Sequence, residues 1–220
     1  KKTVLNEVNG ARIIAGNGLM RVERNDTVAL VCDRQALDER VADEAKIAGA
    51  KFAFDAHVEK IKAAPSGFLT TCSDGRAVQS NYLVGADGCQ STVARQLEFP
   101  TIAARDFVLA YEGEFTGCDV EDAKMVDVIL DPKLFPGFFG WVIPVNEETA
   151  RIGFGTSDFA GLNQSKKRFF ETGHLRAIMP QAKCKLCRDF SHIIPLAVRK
   201  KTQIGNAMLV GDAAGQVKPT

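Results

Sequence analysis

The sequence predicts an α/β protein, in which a parallel-sheet domain is interrupted by an inserted antiparallel sheet that gives it an α+β part. Residues 27–54 have the pattern strand, helix, strand, which suits a parallel sheet. Apolar strands separated by tight turns follow from about residue 105. A buried strand at 207–210 then leads into a Gly-Asp turn, so we expect the chain to return to the first sheet.

Composition excludes some functions. The 220 residues are 45% hydrophobic and 25% charged, with a net charge of +1, which is ordinary for a globular protein and gives no basic field for nucleic acid. No apolar run reaches the ~18–20 residues that span a bilayer. We expect a cytoplasmic protein. Because the chain starts without Met and stops just after a glycine-rich turn, we also expect it to be truncated at both ends.

The elements of the first domain follow in order. Residues 27–32 predict a strand, and Asp33 can cap the helix that follows, whose apolar residues recur at helical spacing up to Gly49. Residues 51–54 predict a short extended segment. An antiparallel meander is predicted next, with strands at 58–63, 68–72 and 78–84.

The inserted domain is predicted over residues 105–200, between a first segment at 1–104 and a return segment at 201–220. One helix is expected at 164–179 and a further strand at 189–196. The antiparallel strands are expected at 107–115, 125–130, 138–145 and 151–156.

The first segment with ligand-binding chemistry is residues 83–95, an apolar strand followed by a glycine-rich turn and a helix start. Its two glycines, Gly85 and Gly88, allow close backbone approach. Free N–H groups at the helix N-terminus favour phosphate, and Arg95 adds positive charge on the same side. The alternative is a plain strand–helix turn in which Asp87 and Ser91 act as caps.

A second such segment follows the strand at 207–210 and reads Gly211-Asp212-Ala213-Ala214-Gly215. An Asp at the carboxyl end of a strand can accept hydrogen bonds from sugar hydroxyls, and small residues let a planar ring lie against a helix N-terminus. The alternative is a structural turn with a capping Asp.

The third segment is aromatic. Phe139, Trp141 and Ile143 share one face of a strand because side chains alternate along it. Such a face could lie against a flat cofactor or an apolar substrate, and core packing is the alternative.

Among the six cysteines, only Cys184 and Cys187 have the spacing of a pair; two ordinary thiols are favoured over a local disulfide. We expect no metal site.

These segments resemble the group A flavoprotein monooxygenase and reductase superfamily, the para-hydroxybenzoate-hydroxylase-like fold with a Rossmann-like FAD/NAD(P)-binding domain. Residues 85–95 are similar to its Asp-Gly motif, which implies that Asp87, Gly88 and Arg95 lie near the FAD pyrophosphate. Residues 211–215 are similar to its Gly-Asp motif, which implies that Asp212 binds the ribityl chain. The resemblance further implies that Arg34 contacts the FAD phosphates and that the backbone at Val58 lies beside the adenine.

Within the superfamily, two details resemble the geranylgeranyl reductases. After Gly211-Asp-Ala-Ala, aromatic hydroxylases have His, whereas this chain has Gly215-Gln-Val-Lys-Pro-Thr220. Phe139-x-Trp141-x-Ile143-Pro144 is similar to the reductases' aromatic-x-Trp-x-aromatic-Pro motif, although Ile143 replaces the usual Phe, and it also resembles the Trp-x-Trp-x-Ile-Pro motif of flavin-dependent halogenases. The N-terminal Gly-x-Gly-x-x-Gly unit of the superfamily does not occur in this sequence.

The resemblance implies an FAD-dependent oxidoreductase that reduces C=C bonds of a geranylgeranyl or other prenyl chain on a lipid or chlorophyll precursor. It implies Phe139, Trp141 and Pro144 as substrate-binding residues, NADPH or a reduced ferredoxin as electron donor, and peripheral membrane contact for a membrane-derived substrate. No catalytic acid or base is identified. The alternatives are a flavin monooxygenase or halogenase for an aromatic or polyketide-like substrate, and a non-catalytic flavin-fold binding protein.

Overall fold

The structure is a computed structural model and describes residues 3–217. The strands are β1 (Val4–Val8), β2 (Gly10–Ala15), β3 (Gly18–Glu23), β4 (Ala29–Cys32), β5 (Val58–Ala64), β6 (Gly67–Cys72), β7 (Ala77–Ser80), β8 (Leu83–Gly85), β9 (Phe107–Thr116), β10 (Met125–Leu130), β11 (Gly140–Pro144), β12 (Thr149–Thr156), β13 (Lys185–Pro195), β14 (Gln203–Ile204) and β15 (Ala207–Leu209). The helices are α1 (Arg34–Ile47), α2 (Thr92–Gln96), α3 (Leu162–Phe170) and α4 (Gly173–Ile178), with short 3-10 helices at Ala104–Asp106 and Gly211–Ala213.

The described residues form two compact units, 3–50 with 108–192 and 51–107 with 193–217. The first unit contains a seven-stranded sheet in the order β13-β9-β12-β11-β10-β2-β3, except that the end residues of β9 and β13 belong to the second unit. It also contains the two-stranded sheet β1–β4. The second unit contains two three-stranded sheets, β5-β6-β7 and β14-β15-β8. The mixed α/β class is confirmed. The predicted domain limits 1–104, 105–200 and 201–220 stay a prediction.

One face of the seven-stranded sheet is covered by α3 and α4. Buried side chains of the inner strands, among them Phe154 and Ile152, pack there against Phe169 and Leu175. The sequence predicts one helix over this region, and the structure has two. The chain breaks after α3 because the Thr172 hydroxyl caps α4, accepting a hydrogen bond from the Leu175 amide at 3.4 Å.

The predicted strand, helix, strand unit is partly wrong. The helix is present, and Asp33 caps it by accepting a hydrogen bond from the Ala36 amide at 3.1 Å. However, β4 pairs with β1 in the antiparallel sense, and residues 51–54 form no strand. Strands β1–β3 were not predicted from the sequence; β2 pairs with β10 in parallel and with β3 as a hairpin.

The second unit confirms the predicted meander and shows where it ends. Strands β5, β6 and β7 pair antiparallel, whereas β8 leaves the meander and pairs with β15. The short helix α2 is fixed to β5 by Gln96, whose Oε1 accepts from the Ile61 amide at 2.8 Å and whose Nε2 donates to the Glu59 carbonyl at 2.6 Å. These two bonds connect α2, which begins in the predicted 83–95 segment, to the first strand of the meander.

The cysteines agree with the favoured prediction of ordinary thiols. All six are free thiols, and the two closest sulfurs described are those of Cys118 and Cys184, at 3.9 Å, rather than Cys184 and Cys187. The loops that contain Cys118 and Cys184 approach each other because Gly117 has no side chain, and a Cβ there would collide with the Lys183 carbonyl.

Among residues 3–217, no helix is both long enough and apolar enough to cross a membrane.

Candidate functional site

Two glycine-rich turns meet at one sheet edge in the second unit. Strands β8 and β15 are parallel neighbours with Leu83 opposite Ala207 and Gly85 opposite Leu209, and the Val210 amide donates to the Gly85 carbonyl at 3.0 Å. Their carboxyl ends therefore lie side by side, and the turns that follow them are neighbours. Crevices outside the carboxyl ends of parallel strands are where ligands bind in α/β sheets. The structure thus brings together the two predicted cofactor segments.

The turn after β8 is organised by caps, which corrects one expectation. The Asp87 carboxylate accepts from the Thr92 and Val93 amides at 2.7 and 3.1 Å, and the Ser91 hydroxyl accepts from the Ala94 amide at 2.9 Å. The first three N–H groups of α2 are therefore already bonded, so they are not free for a phosphate as the sequence analysis expected. Phosphate contact at this turn has to come from other donors.

The two glycines of this turn serve different purposes. A Cβ on Gly85 would lie 2.6 Å from a Leu209 methyl and 2.8 Å from the Val93 Cβ, so Gly85 allows the strands and α2 to pack closely. Gly88 has φ +78° with open space where its side chain would be. The backbone at Gly88 is thus turned into a left-handed conformation and stays accessible from outside.

The turn after β15 is tied down by a residue that the sequence analysis missed, Arg199. Its Nε donates to the Ala213 carbonyl and its Nη1 to the Pro100 carbonyl, both at 2.7 Å. Its amide donates to the Ala214 carbonyl at 2.9 Å. Burial lowers the pKa of Arg199, although the nearby Asp87 charge opposes this. No local sequence pattern marks this role, because the partners lie up to 99 residues away in the chain.

Asp212 lies at the centre of this second turn. Gly211 starts the 3-10 helix with φ +58°, while Ala213 and Ala214 are fully buried and support the turn from below. Burial raises the pKa of the Cys89 thiol, and the charge of Asp212 adds to that effect, so Asp212 lies near the first turn. Gly215 packs against the Ala197 carbonyl. The end of the predicted reductase-like sequence, residues 218–220, lies outside the described residues.

Beside the first turn is a cleft of about 660 Å³. Three predicted cofactor residues line it: Val58, Asp87 and Arg95. Its apolar lining includes Ile61 and Leu83. An apolar floor with a guanidinium at the rim fits a planar base followed by a phosphate. The cleft is therefore compatible with the nucleotide end of FAD. Within the described residues, no group of His, Cys, Asp and Glu side chains could hold a metal ion.

The predicted aromatic residues lie in the first unit. Trp141 pairs with Gly153 and lies on the sheet face opposite α3 and α4, which we call the Trp141 face, and Phe139 meets its ring edge-on at 6.0 Å. Pro144 does not join them: it is fully buried on the helix-covered face, because it is an odd number of residues from Trp141 along a strand. Pro144 can therefore support the strand but does not point to a ligand on the Trp141 face.

Arg34 is also in the first unit. It is the first residue of α1, and its exposed guanidinium lies 3.4 Å from the Asp38 carboxylate, one helical turn away. It lines a cleft of about 490 Å³ together with Arg151 and Ile143. Its role as a ligand of the FAD phosphates stays a prediction.

Residues 3–220 match the protein family described as FAD binding domain. The chain belongs to this family. The match confirms FAD as the predicted cofactor, in agreement with the paired turns and the cleft beside them. The electron donor, NADPH or a reduced ferredoxin, stays a prediction.

The FAD-binding chain is similar to several curated proteins. An uncharacterised protein of Methanocaldococcus jannaschii is 28% identical over 225 residues, 99% of this chain and 56% of that protein. Digeranylgeranylglycerophospholipid reductase 2 of Methanothermobacter thermautotrophicus is 26% identical over 220 residues, 96% of this chain and 53% of that protein. The chain thus spans about half the length of the curated relatives it matches. The predicted resemblance to the geranylgeranyl reductase group is confirmed by the relatives named as digeranylgeranylglycerophospholipid reductases.

Solved structures share the fold. A geranylgeranyl bacteriochlorophyll reductase-like protein of Thermoplasma acidophilum has a TM-score of 0.87 at 23% identity, covering 99% of this chain and 57% of that chain. The halogenase PltM, in complex with phloroglucinol and FAD, has a TM-score of 0.76 at 15% identity, covering 96% of this chain and 48% of that chain. At these identities the likeness concerns the fold alone.

Proposed function

We propose that the protein is an FAD-dependent reductase that saturates C=C bonds in the geranylgeranyl or another prenyl chain of a lipid or chlorophyll precursor. The observation that carries this proposal is the pair of neighbouring turns at the ends of β8 and β15, in a chain of the FAD binding domain family. The relatives named as digeranylgeranylglycerophospholipid reductases support the prenyl substrate.

In this proposal the second unit binds the cofactor. Asp212 accepts hydrogen bonds from the ribityl hydroxyls, and the half-buried backbone at Gly88 and the Arg95 guanidinium lie against the phosphates. The base lies in the 660 Å³ cleft beside Val58. Asp87 and Arg199 act indirectly, because their polar atoms are bonded to the backbone of the two turns. When bound, FAD supplies the electron pair for the reduction.

The substrate chain lies on the Trp141 face in this proposal. Side chains there that are half-buried and apolar include Ile13, Val128 and Trp141, which are aligned across neighbouring strands. A prenyl chain is apolar along its whole length, so burying it against such a face is favourable by about 25 cal/mol per Å² of apolar surface. Contact with these side chains removes apolar surface of the chain from water.

The test is anaerobic reoxidation of the dithionite-reduced holoprotein by a geranylgeranylated substrate, followed at the flavin absorption band with mass spectrometry of the product. A gain of two hydrogens per reduced flavin consumed is the expected result. A flavin that stays reduced in the presence of the substrate would contradict the proposal.

A flavin-dependent halogenase or monooxygenase is the second candidate. The similarity of the fold to the halogenase PltM and the Trp141-x-Ile143-Pro144 sequence favour it. The same experiment separates the two, because such an enzyme leaves the flavin reduced until oxygen is admitted and its product then contains oxygen or halogen. A preparation that holds no flavin at all would support a non-catalytic binding protein.

A further inference from the structure

Six residues form one row across the seven-stranded sheet on the Trp141 face. Each belongs to a different strand and lies opposite its neighbours in register. From β3 to β9 they are Met20, Ile13, Val128, Trp141, Gly153 and Glu112. The row is apolar up to the tryptophan and ends on a single carboxylate. We call it the tryptophan row.

Gly153 leaves room for the indole of Trp141. A Cβ at Gly153 would lie 2.6 Å from Cζ2 and 2.7 Å from Cε2 of the ring, so the indole occupies the space where a side chain of β12 would stand. The ring thereby reaches across that strand, and its Nε1 donates to the Glu112 Oε2 at 2.9 Å. The direction of the indole is fixed by two features, the missing side chain and the carboxylate beyond it.

Among the residues that the structure describes, Glu112 makes no ion pair within 4.0 Å. The charged groups around it are Glu114 on the same strand, Arg151 on β12 and Arg188 on β13. Both guanidiniums bond Glu114, at 2.9 and 2.8 Å. Burial raises the pKa of Glu112, and the indole N–H and the Arg151 charge offset this only in part. By contrast, the two arginines lower the pKa of Glu114 although burial works the other way.

We propose that Glu112 is a positioning residue, which holds the indole of Trp141 across Gly153 and thereby sets the shape that the Trp141 face presents to a substrate chain. The positioning itself stands on the geometry of the row, whereas its effect on the substrate rests on the proposed prenyl reductase function. A ring bonded at its far end keeps one orientation, and the face then discriminates among chains by shape. A ring without that bond samples several orientations and discriminates less.

The first experiment measures the ring directly and needs no substrate. Trp141 is the only tryptophan among the 220 residues, so the fluorescence that is lost in Trp141→Phe belongs to it. We expect its emission to change with pH around a midpoint above the ordinary Glu pKa of about 4.3, as Glu112 becomes protonated. Glu112→Gln keeps an acceptor but does not titrate, so the transition should be lost. A transition that persists in Glu112→Gln overturns the proposal.

Glu114→Gln is the matched control, since Glu114 lies two residues along the same strand and on the same face but bonds the arginines instead of the indole. It should leave the transition in place. Equal loss of the transition in both variants would mean that the charge of the whole face is responsible, which overturns the role of Glu112. Gly153→Ala should shift the emission maximum, because its methyl group would clash with the indole and with the Tyr111 carbonyl oxygen of the neighbouring strand; an unchanged spectrum contradicts the proposed geometry.

The second experiment measures selectivity in the holoprotein. We expect Glu112→Leu to bring kcat/KM for a geranylgeranyl chain and for the shorter farnesyl chain closer together, while flavin content stays at the wild-type level. An unchanged ratio overturns the effect on the substrate. Should Glu112→Leu not fold, the ratio is measured in the wild-type protein below and above its transition pH, with the non-titrating Glu112→Gln as the control. A wild-type ratio that changes no more with pH than that of Glu112→Gln overturns the effect on the substrate. If the wild-type protein reduces neither chain, the proposed function fails, and the fluorescence experiment still decides whether Glu112 positions Trp141.

Discussion

Replacing Asp87 tests whether this acid holds the fold or the cofactor. Its carboxylate accepts from two amides of α2, those of Thr92 and Val93, while Ser91 accepts from the Ala94 amide. Losing a cap costs about 0.5–2 kcal/mol. Asp87 is exposed, so water can replace part of the hydrogen bonding that Asp87→Ala removes. Ser91 and Ala94 are buried, so Ser91→Ala leaves the Ala94 N–H without a partner, which costs about 1–3 kcal/mol.

The expected order of destabilisation is therefore Ser91→Ala above Asp87→Ala above Asp87→Asn, because Asn keeps an acceptor oxygen. Thermal unfolding followed by circular dichroism measures it. At roughly 2–4 °C per kcal/mol for a chain of this size, Asp87→Ala should lower Tm by about 1–8 °C and Asp87→Asn by less. The capping argument is refuted if Asp87→Ala leaves Tm unchanged but removes the flavin, since the carboxylate would then serve the cofactor directly.

Three further outcomes follow from the site and its surroundings. Asp212→Ala should lose flavin on desalting, and retention at wild-type stoichiometry would remove Asp212 from the binding of the ribityl chain. Burial, with Cys184 nearby, raises the pKa of Cys118 to about 12. Iodoacetamide at pH 8 should therefore alkylate the exposed Cys187 well before Cys118, with both rates followed by mass spectrometry. Equal rates would contradict this. Gly85→Ala should lower the free energy of unfolding in urea by about 1–3 kcal/mol, because its methyl group would lie 2.6 Å from a Leu209 methyl. Gly173→Ala is the control and should have little effect, because the space around Gly173 is open.

The sequence was sufficient for features that depend on neighbouring residues. The cap at Asp33, the meander from residue 58 and the strand–turn patterns at 83–88 and 207–212 all follow from local spacing, and the structure has each of them. The β2–β3 hairpin was missed although Gly16-Asn17 is a good two-residue turn between alternating strands. The same alternation would have placed Pro144 on the opposite face from Trp141.

Other features depend on residues far apart in the chain. Strand β2 pairs with β10, so Arg12 stands opposite Asp127, and no local pattern in either segment indicates that pairing. Arg199 binds carbonyls of Ala213 and Pro100, and an arginine in a polar loop predicts nothing of this kind. Glu112 is a charged residue in an apolar strand, and this pattern alone indicates a specific role. Its indole partner could not be predicted from the sequence, because Trp141 lies on β11 and β12 separates that strand from β9.

The caps at the two turns have a consequence for how the cofactor segments should be understood. Asp87, Ser91 and Arg199 each direct polar atoms to backbone groups of the chain itself. The surface open to a ligand therefore includes the backbone at the left-handed Gly88 and the apolar cleft beside it. A backbone binds only if it is held in place, so residues that never touch the cofactor can still determine its affinity. Motif residues of this kind therefore combine two roles, and stability and flavin content have to be measured in the same variant to separate them.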